Sequence, residues 1–253
     1  MRKIIESKLR DIESREKVRI LLAVESGSRA WGFASEDSDY DVRFVYVRQL
    51  EDYLSLNKSR DVIEWQLDST LDINGWDIEK ALKLLKKSNP NILEWLSSPI
   101  IYQWSDDADK LVHLGKKYLR LKSLFLHYIS MAESNYNNYL LRDDINLKKY
   151  FYTLRPLLAC QWLLERKTQP PVPFSDLCQA CLPLKLRRDI EELIQIKTQS
   201  REKDTIAKID HLHQYIEERL NDFKERSIAL AAGSDQGWKA LNDYFLSLLF
   251  KNE

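Results

Sequence analysis

The chain has 253 residues, 44% hydrophobic and 31% charged, with 39 basic and 39 acidic side chains and a formal net charge of zero. That length suits one large domain or two modest ones, and a zero charge balance weighs against a protein that coats nucleic acid non-specifically. No apolar run approaches the ~18 residues of a membrane span, and Met1 to Arg10 mixes charged and apolar residues without the core of a signal peptide, so no membrane partner and a cytoplasmic location are expected.

Residues 2–15 carry Ile4, Ile5, Leu9 and Ile12 at helical spacing. "VRILLAV", residues 18–24, is short, apolar and partly β-branched, as a buried strand is. "ESGSRAWGF" follows as a turn with one helical turn. "SDYDVRFVYV" reads as a second strand, and residues 60–73 as further strand that "NGW" breaks. Residues 77–88 then read as a helix, with Ile78, Ala81, Leu82 and Leu85 on one face and Asp77 capping the start.

The character changes after about residue 105. Helical periodicity runs through 107–119, 121–141, 146–167, 185–199, 203–224 and 235–250, interrupted by the proline-rich "TQPPVPF". An α+β front end, residues 1–105, followed by an all-helical domain, residues 106–253, is the expected organisation. Cys178 and Cys181 form one C-x-x-C, with His211 and His213 downstream. A zinc site lacks a second tight pair, and packing of both thiols under the Pro183 turn is the stronger reading. Lys80, Lys83, Lys86 and Lys87 cluster on one helix, and Lys116, Lys117, Arg120 and Lys122 in another segment. Each cluster reads first as a solvated face and second as a local basic track.

Side chains alternate along a strand, so Asp39, Asp41 and Arg43 share one face while Tyr40, Val42 and Phe44 take the other. Residues two apart lie roughly 6.5 Å apart along the backbone. Carboxylates at that spacing can converge on two hard cations held roughly 3.5–4 Å apart, the arrangement that clamps the attacking and leaving oxygens of an in-line displacement. Magnesium suits oxygen ligands supplied by carboxylates, phosphates and water. Gly27 lets the backbone turn tightly and approach a ligand. The amide and hydroxyl of Ser28 can donate to a terminal phosphate.

"GSRAWGFASEDSDYD" resembles the G-S-x-x-x-G…D-x-D pattern of the DNA polymerase β-like nucleotidyltransferase superfamily. The longer strings "ESGSRAWGF", "SDYDVRFVYV", "NGWDIEKALKLL" and "RPLLACQWLLE…PPVPF" are similar to one branch of it, the RlaP family of the RNA repair pathway. The resemblance implies metal-dependent transfer of a nucleoside monophosphate from a nucleoside triphosphate, using two Mg2+ ions or Mn2+ in their place, with release of pyrophosphate. It also implies a third carboxylate on a later strand, which helps to deprotonate the attacking hydroxyl. Asp72, between Leu71 and Ile73, has the right parity for that role; Asp77, Glu64 and Asp68 are the alternatives. Arg43, on the metal face, is placed either to contact phosphate or to balance the carboxylates. Arg29 and Trp31 flank the phosphate loop, Trp31 reading first as a packing residue.

Two-domain members of the superfamily close a helical domain over the nucleotide. Here Lys149, Tyr152 and Arg155, at i, i+3 and i+6, lean to one side of a helix and are the expected nucleotide contacts of that domain. The acceptor is expected to be an RNA end. A protein hydroxyl or a small molecule such as an aminoglycoside is the alternative with the same chemistry, and a silent nucleotide-binding module the alternative without it.

Overall fold

The computed structural model of the chain describes residues 1–66, 70–142, 144–199 and 204–250, so Asp68 lies outside the described residues. The fold is α+β, in two compact units: Met1–Ala30, Asp39–Tyr118 and Asp235–Glu253 form one, Trp31–Ser38 and Leu119–Ser234 the other. The division differs from the break expected at residues 105 and 106, because contacts distant in sequence draw it. Arg19 pairs with Asp107 at 3.0 Å, the Tyr244 hydroxyl donates to the Asp107 carbonyl at 2.9 Å, and the Tyr118 hydroxyl donates to the Gly237 carbonyl. The segment 31–38 joins the helical unit through Phe33, stacked on Phe151 at 4.7 Å, and through the buried Lys197 ammonium, which donates to Ser35 Oγ at 2.9 Å.

The first unit runs α1 (Arg2–Glu16), β1 (Arg19–Ser26), α2 (Gly27–Trp31), β2 (Tyr40–Val47), α3 (Leu50–Leu54), β3 (Val62–Gln66), β4 (Leu71–Asp77), α4 (Ile78–Lys86), α5 (Pro90–Trp95), β5 (Ile101–Trp104) and α6 (Asp106–Lys117). The strands form one sheet in the order β3-β4-β2-β1-β5. The pair β2 and β4 is parallel and the other neighbours are antiparallel. Helix α1 buries Ile5, Leu9 and Ile12 in the same core as Val42, Phe44, Tyr46, Ile63, Leu71 and Ile73. Val45 and Val47, of the opposite parity, are also buried, where α4 packs on β2 and α5 and α6 pack on β1. Asp41 and Arg43, nearer the start of β2, stay partly exposed.

"NGW" does not break β4. The strand runs through Asn74, Gly75 and Trp76 to Asp77, because Gly75 pairs with Phe44 and a Cβ there would lie 2.2 Å from the Phe44 ring. Glycine lets the aromatic ring lie across the strand. Asp77 caps α4 as expected, accepting from the Glu79 amide at 2.8 Å.

The second unit runs α7 (Leu121–Asn135), a π-helical turn Tyr136–Leu140, β6 (Asp144–Asn146), α8 (Leu147–Arg166), α9 (Phe174–Cys181), α10 (Leu184–Gln199), β7 (Thr205–Ala207) and α11 (Asp210–Ala229). The last helix, α12 (Lys239–Leu249), packs on α4 and α6 in the first unit. Two expectations change here. The helix expected over 121–141 ends in the π-helical turn, and the one expected over 203–224, whose first residue lies outside the described residues, has its helix from Asp210, after β7. Strand β7 exists because it pairs antiparallel with β6, Ile145 opposite Ile206. A three-residue pairing of segments so distant leaves no period in the local sequence.

Candidate active site

The chain leaves β1 through Gly27 at φ +63°, a left-handed conformation that favours glycine. A Cβ on Gly27 would lie 2.1 Å from Asp41 Oδ2. The glycine therefore admits the Asp41 carboxylate against the backbone of the loop. Arg29, in α2, donates from Nε to the Asp39 carbonyl at 3.1 Å and holds its guanidinium 3.8 Å above the Tyr40 ring. It pins the backbone of the D-Y-D segment. Asp39 is exposed and immediately precedes β2.

The parallel register sets Asp41 directly beside Asp72. Arg43 spans both: Nη2 donates to Asp41 Oδ1 at 2.9 Å and to Asp72 Oδ2 at 2.8 Å, and Nη1 to the Val42 and Asp72 carbonyls at 3.1 and 3.2 Å. Of the alternatives to Asp72, Asp77 is buried as a helix cap and accepts from the Tyr53 hydroxyl at 2.8 Å; burial pushes its carboxyl up to about 6. Glu64 pairs with Arg60 at 3.0 Å on the exposed edge strand β3.

Sequence reasoning missed Glu25. It is 1% exposed and sits at the end of β1. Its Oε1 accepts from the Asp41 amide at 2.8 Å, and its other oxygen accepts from the Tyr102 hydroxyl. Burial pushes this carboxyl up to about 7, against the lowering effect of those two hydrogen bonds. The Ser98 hydroxyl donates to the Glu25 carbonyl at 2.6 Å. The signal was an acid two residues before Gly27 at the end of an otherwise apolar strand.

The donor set suits a hard cation, since Asp39, Asp41 and Asp72 offer only oxygen. Asp41 and Asp72 already share one positive charge. Among the described residues no group of three or more His, Cys, Asp or Glu converges on a metal position. A cation at these carboxylates would be held by one or two of them and completed by substrate phosphates and water.

The other expected nucleotide contacts, Lys149, Tyr152 and Arg155, belong to the second unit. On α8, Lys149 Nζ stands 3.6 Å above the Tyr139 ring, Tyr152 meets Trp31 edge-on at 5.0 Å, and the buried Arg155 donates to the Val172 carbonyl and lies 4.5 Å over Trp31. The α4 lysines are largely neutralised: Lys80 pairs with Asp61 at 3.1 Å, Lys83 with Glu79 at 2.6 Å, and Lys86 with Asp235. Cys178 and Cys181 stand on α9, their thiols pushed by burial up to about 12 and about 11. His211 instead bonds Asp189, and His213 the Tyr150 hydroxyl, both at 2.9 Å.

A family model described as "RNA repair pathway DNA polymerase beta family" matches residues 1–247. The chain is 43% identical over 249 residues to the uncharacterized protein YcgL of Bacillus subtilis strain 168, covering 98% of this chain and 96% of that protein. A crystal structure of a nucleotidyltransferase-like protein from Exiguobacterium sibiricum aligns with 98% of this chain and 80% of its own at 13% identity and a TM-score of 0.34. The match across nearly the whole chain makes this protein a member of the RlaP family, the RNA repair pathway branch of the DNA polymerase β family.

Proposed function

We propose that the protein transfers a nucleoside monophosphate from a nucleoside triphosphate to the hydroxyl of an RNA end, with magnesium, or manganese in its place, as the metal. The observation that carries this reading is the pair Asp41 and Asp72, side by side across β2 and β4, bridged by Arg43 and backed by the Gly27 loop. Metal ions bound there would neutralise phosphate charge and make the acceptor hydroxyl easier to deprotonate.

The chain's own residues do the rest. Asp39 and Asp41 would hold the cations, with Asp72 as the third carboxylate. The Ser28 amide and hydroxyl donate to the terminal phosphate. Glu25 holds the Asp41 amide and so fixes the start of β2. Arg43 balances Asp41 and Asp72, and its guanidinium has the charge that phosphate oxygens pair with. In the transfer, an oxygen–phosphorus bond forms between the acceptor hydroxyl and the α-phosphorus. The α–β bridging bond breaks, pyrophosphate leaves, and the hydroxyl proton passes to Asp72.

The test is incubation with each labelled nucleoside triphosphate, magnesium and total cellular RNA. Label in an RNA fraction with matching pyrophosphate supports the reading. Label in protein or small molecules overturns the RNA acceptor and keeps the chemistry. Absence of both label and pyrophosphate overturns the transferase.

A further inference from the structure

We infer that Tyr139, Lys149, Tyr152 and Trp31 of the helical unit form a binding strip for an unpaired nucleobase and its adjoining phosphate. The inference rests on the nucleotidyltransferase reading for its biological sense and on the geometry of this unit for its chemistry. The unpaired base has two sources: the nucleoside triphosphate, or the end of an acceptor strand.

The strip begins at the π-helical turn. A π-helical turn carries wider i→i+5 bonding than the α-helix before it, and such turns are frequent at functional sites. Here it turns Tyr136 and Leu140 inward, Tyr136 donating its hydroxyl to Glu217, and leaves Tyr139 40% exposed. Lys149 Nζ stands 3.6 Å from the Tyr139 ring centre and 5.7 Å from that of Tyr152. Next in line, Tyr152 meets Trp31 at 5.0 Å, and Arg155 supports Trp31 from 4.5 Å beneath. Arg155 is buried and tied to the Val172 carbonyl, so it positions Trp31 rather than reaching a ligand itself.

The state of the charge separates this strip from the α4 lysines. Lys83 and Lys86 have acidic partners. Among the described residues Lys149 has no acidic partner and is held by two ring faces. A cation–aromatic contact at a half-exposed site is weak, so the ammonium can turn to a phosphate at little cost. The Tyr139 ring it leaves then offers a face to a base. Alternating rings and cations are what proteins use to hold single-stranded nucleic acid, the rings stacking bases and the cations meeting phosphates. The zero net charge of the chain keeps this binding local.

The experiment uses the full chain and two probes: each nucleoside triphosphate with magnesium, by calorimetry, and a fluorescein-labelled single-stranded 12-mer oligoribonucleotide, by anisotropy over a salt series. Tyr139→Leu keeps bulk and removes the stacking face, and Lys149→Gln removes the charge. Lys83→Gln is the comparison. The strip predicts roughly a tenfold weaker affinity for Tyr139→Leu. If the ligand is the strand, Lys149→Gln weakens the oligonucleotide and lowers the salt slope by about 0.7. If the ligand is the triphosphate base, the loss appears with the triphosphate and not with the strand. Either result supports the strip. Unchanged affinity for both probes in both variants, a loss equalled by Lys83→Gln, or no binding of either probe by the wild type overturns it. Pyrophosphate release by the wild type is measured in parallel. Its absence sinks the transferase reading while the binding arms still decide the strip.

Discussion

Replacing Gly27 with alanine should separate the cost of backbone strain from the cost of moving the Asp41 carboxylate. At φ +63° a Cβ costs about 1–2 kcal/mol of stability. That cost is general to left-handed positions. The second effect is specific to this site. The new Cβ would lie 2.1 Å from Asp41 Oδ2 and 3.0 Å from Asp41 Cγ, so rotation of the carboxylate about its own bond does not clear it. The group must retreat by about 1 Å to reach ordinary contact distance. Its Oδ1 then leaves the 2.9 Å hydrogen bond to Arg43. Misplacement on that scale costs roughly 10²-fold in rate. Transfer would be followed as pyrophosphate release at saturating nucleoside triphosphate and magnesium, and stability by urea unfolding. Gly237→Ala supplies the control, since Gly237 has φ +66° and open space around its Cβ position. It should lose similar stability and keep its turnover. A Gly27→Ala protein that is folded and turns over as the wild type does would refute the claim that this glycine exists to admit Asp41.

Asp72→Asn should lower transfer by about 10²-fold or more while nucleotide binding persists, because in the proposed reaction it removes a charge that acts in the transition state; an unchanged single-turnover rate would move the third carboxylate elsewhere. Glu25 has a folded value of about 7, raised from 4.5. Its contribution to stability is fully present below 4.5 and is lost as the pH rises through about 7, a loss of about 3 kcal/mol. Glu25→Gln cannot ionise, so its urea-unfolding free energy should overtake that of the wild type as the pH rises from 5 towards about 8; parallel pH profiles would disprove the assignment. Gly75→Ala places a Cβ 2.2 Å from the Phe44 ring and should destabilise by about 1–3 kcal/mol, with partial recovery in combination with Phe44→Leu. Additive losses in that double-mutant cycle would mean the two residues do not compete for space.

Local pattern was enough for the parts of the fold that depend on local pattern. Apolar residues at helical spacing mark α1 and α4, the β-branched runs mark β1 and β2, and Asp77 caps the helix it precedes. The spacing of Gly27, Ser28, Asp39 and Asp41 carries the resemblance to nucleotidyltransferases, and alternation along β2 puts Asp41 and Arg43 on the face away from the α1 core. These are relations between residues a few positions apart, which a strand or helix period translates directly into a shared face.

Tertiary structure decided everything that depends on which distant segments meet. Only the parallel register of β2 and β4 sets Asp72 against Asp41, and only then does Arg43 become a bridge between two carboxylates. Gly75 reads as a breaker until Phe44 is seen lying across it. Glu25 looks like an ordinary strand-end acid until the Asp41 amide and the Tyr102 hydroxyl arrive from two other strands to hold it in the core. Lys149 and Lys86 look alike along the chain, yet one ends between aromatic rings and the other beside Asp235, 149 residues away. A side chain's type sets which interactions it can make. The partners that make them come from elsewhere in the chain, and burial then decides how strongly each charge is felt.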